Sequence, residues 1–289
     1  MFKGTFVAMV TPFLRDGKID EKALRKEVDF LVQSGVDGLV PCGSTGEAAT
    51  LTHEEQKSVI SMVVEQARKK ALVVAGTGSN STEEAVDLTR HAKKTGADGV
   101  LLITPYYNKP TPEGQYLHFE KAAKAVDIPI VLYNIPGRTG VNMTPATIAR
   151  LAKISNIVAI KESSGSMDQV SQIRQLCDIT VLSGDDSLTL PMMAIGATGV
   201  ISVVANILPH ETAEMVRAFL KEEVEVAQKL HYHLLSLAQV LFIETNPIPV
   251  KTALALMRKI DLEFRLPLCP MQPENEAKLK KVLKEYKLI

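Results

Sequence analysis

Lys161 ends an apolar run, "IVAIKESSG" (157–165), that otherwise reads as a buried strand. A lysine amine becomes a nucleophile only once it has lost its proton. Its ordinary pKa is about 10.4 and a working value is about 7–8, a drop worth roughly 4 kcal/mol of disfavoured charge. Burial and neighbouring dipoles can supply that drop, and the neutral amine can then add to a ketone and form a Schiff base. The competing reading is a lysine that snorkels from its strand end into water.

Other residues around Lys161 bear on that choice. Tyr133 closes the preceding run, "PIVLY" (129–133). Its hydroxyl can move protons beside the amine, or bond backbone as a core tyrosine. Arg138 lies in "YNIPGRTG" (133–140), either as a surface charge or as a bidentate partner for a substrate carboxylate. "GSTGE" (43–47) is a turn ahead of a helix. The N–H groups around Ser44-Thr45-Gly46 can hold a carboxylate or merely make the turn.

These residues need elements to position them. Eight short apolar runs recur: 5–10, 38–41, 72–76, 99–103, 129–133, 157–160, 179–183 and 199–204. They are continuous rather than alternating, as strands covered on both faces should be. Helical patterns fill the gaps. Thr52-His53-Glu54-Glu55 and Ser81-Thr82-Glu83-Glu84 read as capping boxes, and Thr111-Pro112 and Thr144-Pro145 put proline at the first helical position. "GVDGLV", "GADGVL" and "GATGVI" nearly repeat at Gly35, Gly96 and Gly196, each with a glycine able to take a left-handed cap. The pattern predicts an α/β fold, a (β/α)8 TIM barrel over residues 1–224. Residues 225–289 are helical only, with helices expected at 225–241, 248–258 and 274–287 and breaks at "NPIP" and "LPLCP". They form a small C-terminal helical appendage. A doubly wound sheet would have fewer strands and often a nucleotide fingerprint. "GTGSNS" lacks the third glycine of one, and there is no P-loop.

Barrel chemistry sits at the C-terminal strand ends. Those ends hold one lysine, one arginine, three tyrosines and hydroxyls, and no histidine, which argues against a metal centre of the zinc type. Over the 289 residues, 33 basic residues balance 33 acidic ones, so no field of one sign is available for nucleic acid or an anionic membrane. The basic stretch Lys278–Lys287 reads as the solvated face of a terminal helix. Cys42, Cys177 and Cys269 are scattered and odd in number, as in a reduced, cytoplasmic protein. The N-terminus does not read as a signal peptide, and no window nears the roughly 18 apolar residues of a membrane span.

"VTPF", "GSTGE", "TPYYN", "YNIPGRTG", "IKESSG", "LSGDD", "GVISVVAN" and "NPIPVK" occur in that order nearly end to end. With them the chain resembles the pyruvate-dependent class I aldolase family, which includes the dihydrodipicolinate synthases and the N-acetylneuraminate lyases. "TPYYNKP" and the arginine in "YNIPGRTG" resemble the first branch, a lyase-class activity of lysine (diaminopimelate) biosynthesis. The resemblance implies that Lys161 forms a Schiff base with pyruvate, so that no separate cofactor and no metal is needed. It implies that Tyr133 moves protons, with Ser44 and Tyr107 completing a relay and Tyr107 reaching across a dimer interface. It also implies that Ser44, Thr45, Gly184 and Ile201 surround pyruvate, while Arg138 holds L-aspartate 4-semialdehyde. A homotetramer built as a dimer of dimers is expected. L-lysine inhibition would use Ala49, His53, Asn80, Glu84 and Tyr106. Two departures bear on these roles. The relay hydroxyl is usually threonine, and Ser44 lacks the methyl that restrains its rotamer. Inhibited members often have serine and histidine where this chain has Ala48 and Gln56. The alternatives are a keto-deoxy sugar acid or sialic acid lyase, and a non-catalytic amino-acid-binding barrel.

Overall fold

In the computed structural model, which describes residues 2–289, eight parallel strands close into one barrel in chain order. They are β1 (Gly4–Ala8), β2 (Gly38–Val40), β3 (Leu72–Gly76), β4 (Gly99–Ile103), β5 (Ile130–Asn134), β6 (Ile157–Glu162), β7 (Thr180–Ser183) and β8 (Gly199–Ser202). Strand β8 returns to β1 through Gly4↔Gly199 and Phe6↔Ile201. Each expected run contains or overlaps one strand. Helices surround them: α1 (Glu21–Gln33), α2 (His53–Ala67), α3 (Thr82–Thr95), α4 (Pro112–Ala125), α5 (Pro136–Thr139), α6 (Pro145–Leu151), α7 (Met167–Leu176), α8 (Thr189–Ala194) and α9 (Pro209–Leu220). Three more follow, α10 (Val224–Val240), α11 (Ile248–Leu256) and α12 (Pro273–Glu285).

Local chemistry explains the joints. Gly35, Gly96 and Gly196 have φ of +78°, +90° and +104°, in or near the left-handed region that favours glycine. A Cβ on Gly199 would strike the backbone oxygen of Gly4, so the β8–β1 closure needs a glycine there. The Thr52 capping box forms, with Thr52 Oγ1 accepting from the Glu55 N–H and Glu55 accepting from the Thr52 N–H. The one expected at Ser81 does not form. Glu84 instead accepts from Ser79 Oγ at 2.6 Å, and Ser79 Oγ accepts from the Ser81 N–H, so the loop ahead of α3 engages the carboxylate from outside the helix.

The C-terminal helices pack onto the barrel: α10 lies against α9, and α12 against both α10 and α11. Helix α12 buries Leu279 and Leu283 and leaves Lys278, Lys281 and Lys284 in solvent. Two ion pairs cross from this segment to the barrel. Lys251 on α11 pairs with Glu47, and Arg265 pairs with Glu55 at 2.6 Å, its guanidinium 4.6 Å from the Phe13 ring centroid.

A second buried carboxylate is less well served. Glu27 on α1 is 3% exposed and its Oε1 has no hydrogen-bond partner. Burial raises its pKa to about 7, opposed by the charge of Lys259. Lys259 Nζ is itself without a hydrogen-bond partner, 2.9 Å from the Phe30 ring centroid. Between about pH 4.5 and 7 the folded chain therefore holds a proton at Glu27 that the unfolded chain has lost, and stability falls as pH rises through that window. Glu27→Gln should match the parent near pH 5 and be more stable by about 2–3 kcal/mol near pH 8. Denaturant melts at the two pH values read this directly, and equal shifts at both would show that Glu27 does not titrate there.

Candidate active site

Lys161 is next to last in β6, where the register pairs it with Tyr133 on β5 and Leu182 on β7. The residue is 5% exposed, so it does not snorkel into water. Its Nζ lies 4.4 Å from the centroid of the Tyr133 ring. The chain after β7 closes against the lysine stem: the Gly184 N–H donates to the Glu162 carbonyl at 2.9 Å. A Cβ on Gly184 would collide with Ser163 Oγ and come to 2.9 Å from Lys161 Cε. The glycine of "SGDD" thus leaves the space that the Lys161 stem fills.

Alternate strand residues point the other way. Asn134 Nδ2 donates to both oxygens of Glu162, at 3.2 and 3.1 Å. The Ser164 N–H and Gln169 Nε2 complete that set. Burial raises the Glu162 pKa against these hydrogen bonds. Behind the cavity this network ties β5 and β6 to α7, which carries Gln169.

Lys161, Tyr133, Ser44, Thr45, Arg138 and Gly184 line one cavity at the C-terminal mouth of the barrel. In the 43–47 turn the Gly46 N–H donates to Gly43 O and the Glu47 N–H to Ser44 O. Among the described residues, the N–H groups of Ser44 and Thr45 have no acceptor, which leaves two donors for an anion. Among the described residues, neither Ser44 Oγ nor Tyr133 Oη has a hydrogen-bond partner. Tyr107 lies outside this cavity, 89% exposed and at φ +69°. Ile201 is buried in mid β8 and does not line the cavity, whereas Val203 does.

Two polar lining residues escaped sequence reasoning. Asn246 donates from Nδ2 to Thr45 Oγ1 at 2.9 Å and accepts from Arg138 Nη2 at 2.6 Å through its carbonyl. Its "NPIP" setting read as a helix break and, within "NPIPVK", as part of the resemblance, with no role given to Asn246. Asp185 also lines the cavity; burial raises its pKa, and the Lys161 charge opposes that rise. The doubled aspartate of "SGDD" was its only signal.

A wider cavity of about 460 Å³ joins Ser44, Tyr133 and Arg138 to Ala49, His53, Glu84 and Tyr106. His53 Nε2 stands 3.7 Å from Glu84 Oε2. Asn80 is not in its lining; its carbonyl accepts from Asn108 Nδ2 at 2.9 Å. Gln56 Nε2 donates to the Ala48 carbonyl at 2.8 Å, so that amide is already engaged. All six histidines lie on helices, and among the described residues no group of three or more His, Cys, Asp or Glu is placed to hold a metal ion. No helix among them is long and apolar enough to cross a membrane.

A closed (β/α)8 barrel that gathers an amine, a phenol and a guanidinium at its C-terminal mouth has the architecture of a barrel enzyme. Residues 1–286 match the model of the Dihydrodipicolinate synthetase family, and the chain belongs to that family. It is 57% identical over 291 aligned positions to the 4-hydroxy-tetrahydrodipicolinate synthase of Pelobacter propionicus, covering 100% of both chains. Its structure is similar to that of dihydrodipicolinate synthase from Aquifex aeolicus, with a TM-score of 0.98, 52% identity and 99% of each chain covered. It is also similar to the Acinetobacter baumannii enzyme complexed with pyruvate, at TM-score 0.97 and 44% identity over 100% of both chains. The enzyme from Cyanidioschyzon merolae with lysine bound matches at TM-score 0.97 and 39% identity, covering 100% of this chain and 99% of that one.

The space at Gly184 generates a test. Gly184→Ala should leave the barrel folded but displace the Lys161 stem, cutting the rate of imine formation about 100-fold, as misplacements near 1 Å do. Circular dichroism with borohydride trapping checks both halves; a normal trapping rate would remove Gly184 from the site.

Proposed function

We propose that the chain is a 4-hydroxy-tetrahydrodipicolinate synthase, condensing pyruvate with L-aspartate 4-semialdehyde through a Schiff base on Lys161. The observation that carries this reading is the buried Lys161 amine facing the Tyr133 ring, in one cavity with two free N–H donors and Arg138. The pyruvate carboxylate binds the Ser44 and Thr45 N–H groups, which places its ketone against Nζ, with Gly184 and Val203 bounding the site. Nζ adds to the ketone carbon; the carbinolamine loses water and becomes an imine. Tyr133 supplies and removes the protons. Loss of a methyl proton gives the enamine, whose carbon attacks the aldehyde of the second substrate. The amino group of that substrate then displaces Lys161 and closes the ring.

Arg138 holds the semialdehyde carboxylate with a charged fork. We assign the relay to Ser44 and to Tyr107 of a neighbouring copy, because Tyr107 is exposed and lies outside the cavity of its own chain. That assignment entails an oligomer, for which we propose a homotetramer acting in the cytoplasm. L-lysine as a feedback inhibitor fits Ala49, His53, Glu84 and Tyr106, with Asn80 nearby, since the wider cavity joins them to the catalytic residues. A keto-deoxy sugar acid or sialic acid lyase shares the Lys161 chemistry but has no use for Arg138 as a carboxylate partner.

Borohydride added with pyruvate should raise the mass of the peptide containing Lys161 by a reduced pyruvate adduct, and Lys161→Ala should fold and lose it. Pyruvate consumption should require the semialdehyde; cleavage of a sugar acid with indifference to the semialdehyde would refute the assignment. Arg138→Ala should raise the semialdehyde KM about 10- to 100-fold while the pyruvate adduct still forms. Added L-lysine should lower turnover, and Glu84→Gln should weaken that effect.

A further inference from the structure

We propose that Lys251 is a positioning residue of the pyruvate site, acting through Glu47 on the turn that carries Ser44 and Thr45. The proposal rests on the function proposed above. Lys251 and Glu47 lie 204 positions apart, yet Nζ donates to Glu47 Oε1 at 2.5 Å and both side chains are fully buried. The Phe13 ring lies 4.3 Å from the ammonium and the Phe264 ring 5.1 Å, which shuts water out.

Glu47 is the last residue of "GSTGE" and stands at φ +53°, a left-handed conformation uncommon outside glycine. Such a residue persists where its surroundings over-determine it. Its N–H donates to the Ser44 carbonyl, its Oε1 accepts from Lys251 and its Oε2 accepts from the Arg265 N–H at 3.3 Å. The carboxylate is thus fixed from the C-terminal segment, and its backbone fixes the end of the anion-holding turn. Asn246, five residues before Lys251, grips the other side of that turn at Thr45 Oγ1. One short segment therefore sets where two free N–H groups point.

A buried ion pair is weak evidence for stability, because an apolar pair of similar volume often does as well. It does impose direction, since one orientation alone satisfies both charges. Burial lowers the pKa of Lys251, opposed chiefly by Glu47 and less by Glu263, and Glu47 is the carboxylate that its ammonium pairs with.

The test compares the parent, Lys251→Met, Lys251→Arg and the double variant Glu47→Gln with Lys251→Met, in the full chain. Melting temperature, pyruvate KM, kcat and the pyruvate concentration that half-saturates borohydride trapping are measured for each. Lys251→Met leaves a buried unpaired carboxylate and should be the least stable. The double variant removes both charges and should melt near the parent, yet its pyruvate KM and trapping midpoint should rise about tenfold. Lys251→Arg keeps the charge but not the ammonium geometry and should fall between. Parent-like KM and trapping in every variant that folds, including Lys251→Arg, would overturn the proposal and leave Lys251 a stability residue. A parent that traps no pyruvate would instead overturn the proposed function and this inference with it.

Discussion

A closed parallel sheet has no free edge, so the register of every strand is set from both sides, and that double constraint aims the Lys161 amine. β6 is locked to β5 through Tyr133↔Lys161 and to β7 through Lys161↔Leu182. Side chains alternate along a strand, so a slip of one residue would exchange Lys161 for Glu162. The Glu162 network guards against that slip. Its carboxylate is bonded to Asn134, Ser164 and Gln169 on the far face, and would lose all of these if it turned inward. The direction of the Lys161 side chain is thus maintained by the polar anchoring of its neighbour.

The mouth of the barrel follows a different rule. Its 43–47 turn carries hydrogen bonds of its own, Gly46 N–H to Gly43 O and Glu47 N–H to Ser44 O. Long-range bonds from the C-terminal segment supply the rest: Asn246 to Thr45 and Arg138, Lys251 to Glu47, Arg265 to Glu47 and Glu55. Arg265 also donates to the carbonyls of Gly17 and Thr50. The appendage therefore forms part of the wall of the site, although every residue expected to touch substrate comes from the barrel.

Two buried acid–base pairs show what position does to the same chemistry. Glu47 and Lys251 meet directly, with aromatic faces around the ammonium. Glu27 and Lys259 interact only through space, and each has a buried polar atom without a hydrogen-bond partner. The first pair can fix a geometry because its hydrogen bond has a direction. The second has no such bond, and desolvation decides its protonation.

The sequence by itself determined the eight strands and most of the helix starts, and it offered Lys161, Tyr133, Arg138 and Ser44 as candidates for chemistry. Those features are local: apolar runs, prolines at first helical positions and glycines at left-handed caps depend on neighbours a few residues away. Tertiary structure alone decided that Lys161 is buried rather than snorkelling, because burial comes from β5, β7 and Gly184 together. It decided that Glu84 turns to Ser79 instead of capping α3, and that Tyr107 stays exposed outside the cavity that Tyr133 lines. It also decided that "NPIPVK", which reads as a break, reaches back to Thr45, Arg138 and Glu47. Those contacts span a hundred residues or more, and no periodicity or turn preference encodes which distant groups a closed barrel will bring within a hydrogen bond of each other.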